Sequence, residues 1–218
     1  SIPHFIHTNY KMNLCGTPLK NSSISSEEKK TPEGYIASDF RATHQVIEDM
    51  KYSVDVGSKG VVVHTGQHCN RNSPEIAFKR MDYAVRKILE NTPKESILLL
   101  ETPVGEGTEI CSKIQDLAQF YLNVSSTDKF KNRLKICIDT CHVFGAGYDP
   151  VEYIKLWSNS YTPNSIGLVH FNDSVRDCGC HVDNHAKWDG VNGKMKREKM
   201  LEIRHYCHSL GIPMIVEN

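Results

Sequence analysis

The sequence predicts an α/β fold built on a parallel sheet. Three observations carry this: short unbroken apolar runs, amphipathic segments of helical period between them, and a regular alternation of the two. Parallel strands are covered on both faces, so they read as continuous hydrophobic stretches rather than alternating ones.

Six runs qualify as strands: 2–7, 60–64, 96–101, 134–139, 166–171 and 212–217. Helical periodicity spans 39–56, 74–91, 113–124, about 150–158 and 195–210. The clearest helix is 74–91, where Ile76, Met81, Ala84, Val85, Ile88 and Leu89 form one stripe. Ser73 is its expected N-cap and Pro74 its first residue, where a missing N–H costs nothing. One stretch interrupts the alternation. Residues 17–34 are rich in Ser, Lys and Glu and bounded by prolines, which predicts a mobile surface loop inserted into one domain. The whole of 1–218 reads as that single domain.

Composition narrows the function classes. The 218 residues are 39% hydrophobic and 24% charged, enough to bury a core and too apolar for a disordered chain. Lys and Arg number 26 and Asp and Glu 26, so the net charge is zero. That excludes a polycationic nucleic-acid coat, while a local basic surface stays open. No run approaches the roughly 18 apolar residues of a membrane span, so no membrane partner is expected. Eight cysteines without a repeated CxxC point to a reduced, intracellular protein. Cytoplasm, nucleus and viral compartment are not distinguished by this.

The chemistry lies at the strand ends. In chain order the six strands end at His7, His64, Glu101, Asp139, His170 and Glu217. The C-terminal edge of a parallel sheet is where α/β folds build their sites. Carboxylates converging on one mouth would repel, and a bound cation is the natural counter-charge. Past the fourth strand, Asp139-Thr-Cys-His142 adds a histidine. Past the fifth, Asp183-Asn-His185 sets two ligand types two residues apart, able to point the same way in an extended segment. His142, Asp183 and His185 make an N₂O set with an open fourth position, the form of a catalytic zinc site. Nine donors exceed what one ion uses. Two or three ions sharing a carboxylate fit, and the mixture of imidazole and carboxylate favours zinc or manganese over magnesium. Clustered divalent ions suit in-line phosphoester hydrolysis. No G-x-x-x-x-G-K-[ST], G-x-G-x-x-G or nucleophile-elbow motif supports a nucleotide, dinucleotide or serine-hydrolase reading.

These residues resemble the endonuclease IV family of apurinic/apyrimidinic (AP) endonucleases. The segments that carry the resemblance are His7-T-N-Tyr10-K-M-N-L, V-V-His64-T-G and L-L-Glu101-T-P-V-G-E-G. They continue with C-I-Asp139-T-C-His142-V-F-G-A-G-Y-D, V-His170-F-N-D-S, V-Asp183-N-His185 and I-V-Glu217-N. The resemblance runs the length of the chain and implies a TIM (β/α)8 barrel. Six strands are visible where such a barrel has eight, so the first two strands and the last helix are expected to lie outside this sequence, as in a fragment.

The resemblance further implies three zinc ions per chain, with manganese an alternative at one site. His7, His64 and Glu101 would hold the first. Glu101 would bridge to a second held by Asp139, His170 and Glu217, and His142, Asp183 and His185 would hold the third. It implies a zinc-dependent deoxyribonuclease of base excision repair, in which a zinc-activated hydroxide cuts the phosphodiester 5′ to an abasic site. A 3′-hydroxyl and a 5′-deoxyribose phosphate remain. Glu101, Asp139 and Glu217 are the expected catalytic carboxylates, double-stranded abasic DNA the partner, and a monomer the working form. Tyr10 matches the position that wedges into the base stack at the lesion, where unstacking is cheapest. Its neighbour Lys11, apolar in the family pattern, departs from it and exchanges a wedge contact for a phosphate contact. Two other classes remain as alternatives: a metal-dependent sugar isomerase or epimerase on the same barrel, disfavoured by five histidines, and a non-catalytic damaged-DNA or metal-binding module. Cys137 and Cys141 flank Asp139 and are expected to pack rather than to ligate.

Overall fold

The computed structural model describes residues 3–18, 38–39, 41–70, 73–161, 164–187 and 192–217. In chain order the elements are β1 (Ile6–His7), β2 (Thr17–Pro18), β3 (Ser38–Asp39), α1 (Arg41–Asp55), β4 (Val61–His64), α2 (Pro74–Glu90), β5 (Leu98–Glu101) and α3 (Ile114–Ser125). There follow β6 (Leu134–Asp139), α4 (Thr140–Gly145), α5 (Pro150–Leu156), a π-helical turn (Trp157–Tyr161), β7 (Ile166–His170), β8 (Asp173–Ser174), β9 (His185–Ala186), α6 (Lys196–Ser209) and β10 (Met214–Ile215).

Six strands form one sheet in the order β1-β4-β5-β6-β7-β10, parallel throughout. Each strand pairs with the next sheet strand along the chain, and a helix stands in each connection, which is the βα repeat of a barrel. The edge strands β1 and β10 are two residues long, shorter than the apolar runs 2–7 and 212–217, since each has a single ladder to define it.

Strand residues alternate between two apolar clusters. Val61, Val63, Leu98, Leu100, Ile136, Ile138 and Val169 pack outward with the helices. Val62, Leu99, Cys137 and Leu168 pack inward with one another, joined by the partly buried Phe5, Ile97 and Ile215. Leu99 fills the middle of this inner floor because two glycines make way for it. A Cβ on Gly60 would lie 2.3 Å from one Leu99 methyl, and one on Gly167 would lie 2.8 Å from the other.

The helices follow their patterns closely. Ser73 caps α2, its Oγ accepting from the Ile76 N–H, with Pro74 in the first turn. Ile76, however, is 37% exposed in the first turn, and Ala77 takes its place on the buried stripe. The helix read from residue 39 begins at Arg41, because Ser38 and Asp39 pair antiparallel with Pro18 and Thr17. Thr17 and Pro18 thus belong to a ribbon rather than to the 17–34 loop, whose remaining residues lie outside the described ones. The six-residue α4 had no periodic signal, and the helix read over about 150–158 passes at Trp157 into the π-helical turn, where the indole is fully buried and donates to Ser165 Oγ at 2.7 Å. Among the described residues no helix is long and apolar enough to cross a membrane, and all eight cysteines are free.

Candidate metal centre

The inward floor fixes where the polar residues go. Side chains two residues apart on a strand share a face, so the residue two past each floor residue points into the same interior, one layer higher. Those pairs are Phe5 and His7, Val62 and His64, Leu99 and Glu101, Cys137 and Asp139, Leu168 and His170, and Ile215 and Glu217. Five of the polar partners are the last residue of their strand. Glu217 lies two residues beyond β10.

Glu101 is the centre of this layer and is 1% exposed. Its Oε2 lies 3.0 Å from His7 Nε2 and 3.0 Å from His64 Nε2, while its Oε1 lies 2.8 Å from His170 Nδ1. His170 Nδ1 also stands 3.2 Å from Glu217 Oε2 and 3.8 Å from Asp139 Oδ2. A second group adjoins. Asp183 places Oδ2 3.1 Å from His142 Nε2 and Oδ1 3.1 Å from His185 Nε2, and His185 Nε2 is 3.5 Å from Asp139 Oδ2. His185 reaches this point because β9 pairs with β8, folding the segment after β7 back over the mouth. The five imidazoles form a chain of ring contacts from His170 through His7, His64 and His142 to His185, with centroids 5.3–5.9 Å apart.

The charge states follow from this crowding. Burial opposes ionisation of Glu101, yet His170, His64 and His7 outweigh it and hold the carboxyl well below its ordinary range. Burial likewise opposes charge on Asp183, which His142 and His185 pull below its usual value. The histidines move the other way. Burial disfavours a proton on His142, but Asp139, Asp183 and Glu101 reverse this and raise its pKa well above normal. His185 is raised against burial by Asp183 and Asp139, and His7 by Glu101. A proton on these rings serves the carboxylates as counter-charge, at the same points where a divalent cation would exchange for it.

The donor set fits such ions. His142 Nδ1–H donates to the Thr102 carbonyl at 2.9 Å, which leaves Nε2 as the lone-pair nitrogen. His142 Nε2 and His185 Nε2 are buried without a hydrogen bond, although each lies near an Asp183 oxygen. Nitrogens that converge on carboxylates without hydrogen-bond alignment suit a shared ion. Glu101, Asp139, His170 and Glu217 bring one donor atom each within 4.8 Å of one another, as do His7, Glu101 and His170, and Asp139, His142 and His185. Cys141 also approaches Asp183 and His185, but burial pushes the thiols of Cys141 and Cys137 up to about 12 and keeps them neutral.

Seven of the nine donors line a cavity of about 380 Å³ with Tyr10 and Lys187, while Asp139 and His170 lie buried behind it. A larger hollow of about 470 Å³ between α2 and α3 holds none of them. Tyr10 is 71% exposed, and Lys11 sets its ammonium 5.6 Å over the tyrosine ring without lining the cavity.

Residues 36–203 match the model of the xylose isomerase-like TIM barrel family. A probable endonuclease 4 of Metamycoplasma arthritidis is 34% identical, the match covering 92% of this chain and 80% of that protein. The chain belongs to the endonuclease IV family. Another probable endonuclease 4, from Trichlorobacter lovleyi, is 32% identical over 78% of this chain and 60% of its own length. The crystal structure of endonuclease IV from Thermus thermophilus superposes with a TM-score of 0.73 at 25% identity, covering all of this chain and 69% of that one. The six-stranded sheet is therefore part of a TIM barrel, in which eight strands are the rule.

All nine residues singled out by strand ends and motifs meet in this one mouth of the endonuclease IV barrel. Several partners were assigned no role in the sequence. Asn172, Thr102, Thr140 and Lys187 carry no ligand signature, and the neutral side chains among them differ little from ordinary strand-end residues. Asp139 proves to have a second task as N-cap of α4, its Oδ1 accepting from the His142 N–H at 2.9 Å.

Proposed function

We propose that this chain hydrolyses the phosphodiester 5′ to an abasic site in double-stranded DNA, leaving a 3′-hydroxyl and a 5′-deoxyribose phosphate. The observation that carries the reading is the convergence of five histidines and four carboxylates on one barrel mouth. Three zinc ions are the proposed cofactor: the first on His7, His64 and Glu101, the second on Glu101, Asp139, His170 and Glu217, the third on His142, Asp183 and His185. The split of Glu101 supports its bridging role, since Oε2 faces two histidines and Oε1 faces the third. Clustered zinc supplies a nucleophile at neutral pH and neutralises charge on both the attacking and leaving oxygens.

The protein's own residues do the rest. Thr102 fixes the tautomer of His142, and the α4 N-terminus orients Asp139. The apolar floor below Glu101 keeps bulk water from the underside, where it would weaken these charges. Tyr10 stands exposed at the rim, placed to fill the gap left by a missing base, with Lys11 beside it for a backbone phosphate. Free thiols throughout support a reducing, intracellular setting. We take the monomer as the working form.

The test is a duplex with one tetrahydrofuran abasic analogue. Incubation with the zinc-replete chain is expected to give a single cut on its 5′ side, with a 3′-hydroxyl end and about three zinc ions per chain by metal analysis. A folded, zinc-loaded protein that leaves this duplex whole overturns the reading. One or two manganese ions and turnover of a sugar would select the isomerase instead.

A further inference from the structure

We propose that Asn172 is a positioning residue that carries Glu217 into the site and holds it beside Asp139. The inference rests on the reading in which these two carboxylates share one zinc ion. Glu217 lies beyond β10, whose ladder to β7 ends at Ile215. Among the described residues, no strand pairing reaches Glu217. The Asn172 side chain substitutes for the missing rung: its Oδ1 accepts from the Glu217 backbone N–H at 3.0 Å. Its Nδ2 donates to Glu217 Oε2 at 2.9 Å and to Asp139 Oδ2 at 2.7 Å. One amide thus grips the backbone and side chain of Glu217 and ties both to the end of β6.

The chemistry requires an amide there. Asp139 and Glu217 bring oxygens within 4.8 Å of each other, a spacing at which like charges repel. The two N–H bonds of Nδ2 point partial positive charge at both, and each oxygen retains lone pairs for an ion. Oδ1 on the Glu217 N–H fixes which way the amide faces, because the flipped form would set an oxygen against two carboxylates. Asn172 is 1% exposed, and its backbone is pinned as well: its N–H donates to Thr140 Oγ1 at 2.9 Å, and that hydroxyl donates to the Asn172 carbonyl. The Thr140 hydroxyl thus fixes the backbone from which the clamp extends.

The experiment measures zinc on the full chain by competition with a chromophoric chelator, for wild type, Asn172→Ala and Val124→Ala. Val124 is buried in the outer cluster on α3, so its truncation reports on stability alone. Loss of an outer partner of a metal ligand costs about 10–100-fold in affinity. Asn172→Ala is expected to hold one zinc that much more weakly and the others as wild type does, while Val124→Ala lowers the melting temperature and keeps all its affinities. Incision by Asn172→Ala at limiting zinc falls by the same factor and returns when zinc is added. Wild-type affinities in Asn172→Ala, or an equal weakening of every ion, overturn the proposal. If Asn172→Ala does not fold, Asn172→Ser is used: its hydroxyl is too short to span both carboxylates, and the same selective loss is expected. A wild-type chain that takes up no zinc refutes the metal-centre reading itself, an outcome distinct from wild-type uptake with an unaffected Asn172 variant.

Discussion

Tyr10→Ala should weaken binding of an abasic duplex while leaving the fold intact. The ring is 71% exposed, so its truncation removes little buried surface. Exposed substitutions stay within about 0.5 kcal/mol, and the lost contact with the Lys11 ammonium adds about 0.5–1 kcal/mol. In a chain of this size 1 kcal/mol moves the melting temperature by about 2–4 °C, so a shift under about 6 °C is expected. Stacking of an aromatic ring against a base is worth about 1–3 kcal/mol. At 1.4 kcal/mol per factor of ten, that is roughly 5- to 150-fold in affinity. The assay is fluorescence anisotropy with two duplexes, one carrying a tetrahydrofuran analogue and one undamaged, at fixed salt and with hydrolysis blocked by chelation. The loss should fall on the abasic duplex. Equal weakening for both duplexes would mean that Tyr10 makes a general contact, and no weakening for either would remove it from recognition altogether.

Glu101→Gln keeps the shape of the central side chain and removes its charge. Incision is expected to fall by more than about 100-fold, beyond what loss of an outer partner costs, while abasic-DNA affinity stays within a few-fold by anisotropy. Trp157→Ala should cost about 3–5 kcal/mol, read from the urea midpoint, because it empties a fully buried site and removes the indole's bond to Ser165. Asp149 caps α5 through the Val151 and Glu152 N–H groups and meets Lys199 at 2.8 Å. Burial opposes its charge, but the bond to Lys199 and the capped amides lower its pKa below the usual 3.8. Its stabilising effect is therefore present above the unfolded value and lost as pH falls through the lower folded one. Asp149→Ala should cost about 1 kcal/mol at pH 7 in urea unfolding, with the gap to wild type closing below about pH 4.

The six strands were legible because buried parallel strands are apolar on both faces and stand out against amphipathic helices. The candidate ligands were legible for a related reason: a polar or ionisable side chain closing an apolar run breaks its pattern. Asn172 gave no such signal. It sits one residue past the predicted strand 166–171, inside the V-His170-F-N-D-S segment but with no role read for it, and its importance arises from Glu217, some forty-five positions away. Contacts of that range are set by sheet closure, which local pattern does not encode. The same holds for α4, whose six residues are too few to show a period and whose start depends on a cap, Asp139, that reads first as a ligand. The ribbon of Thr17 and Pro18 with Ser38 and Asp39 was hidden by the polar stretch between its halves. Ile76 erred through averaging, since a stripe drawn over a whole helix assumes that the first turn lies under cover.

The inner floor of Val62, Leu99, Cys137 and Leu168 has a consequence for traffic through the molecule. Leu99, seated between Gly60 and Gly167, fills the described interior beneath the candidate metal centre, as side chains fill barrels of this kind. A group that enters at the strand ends meets this floor and leaves by the same side. Under the proposed incision, both new DNA ends would leave on the side where the rest of the duplex crosses the rim, and their release would depend on lifting that duplex.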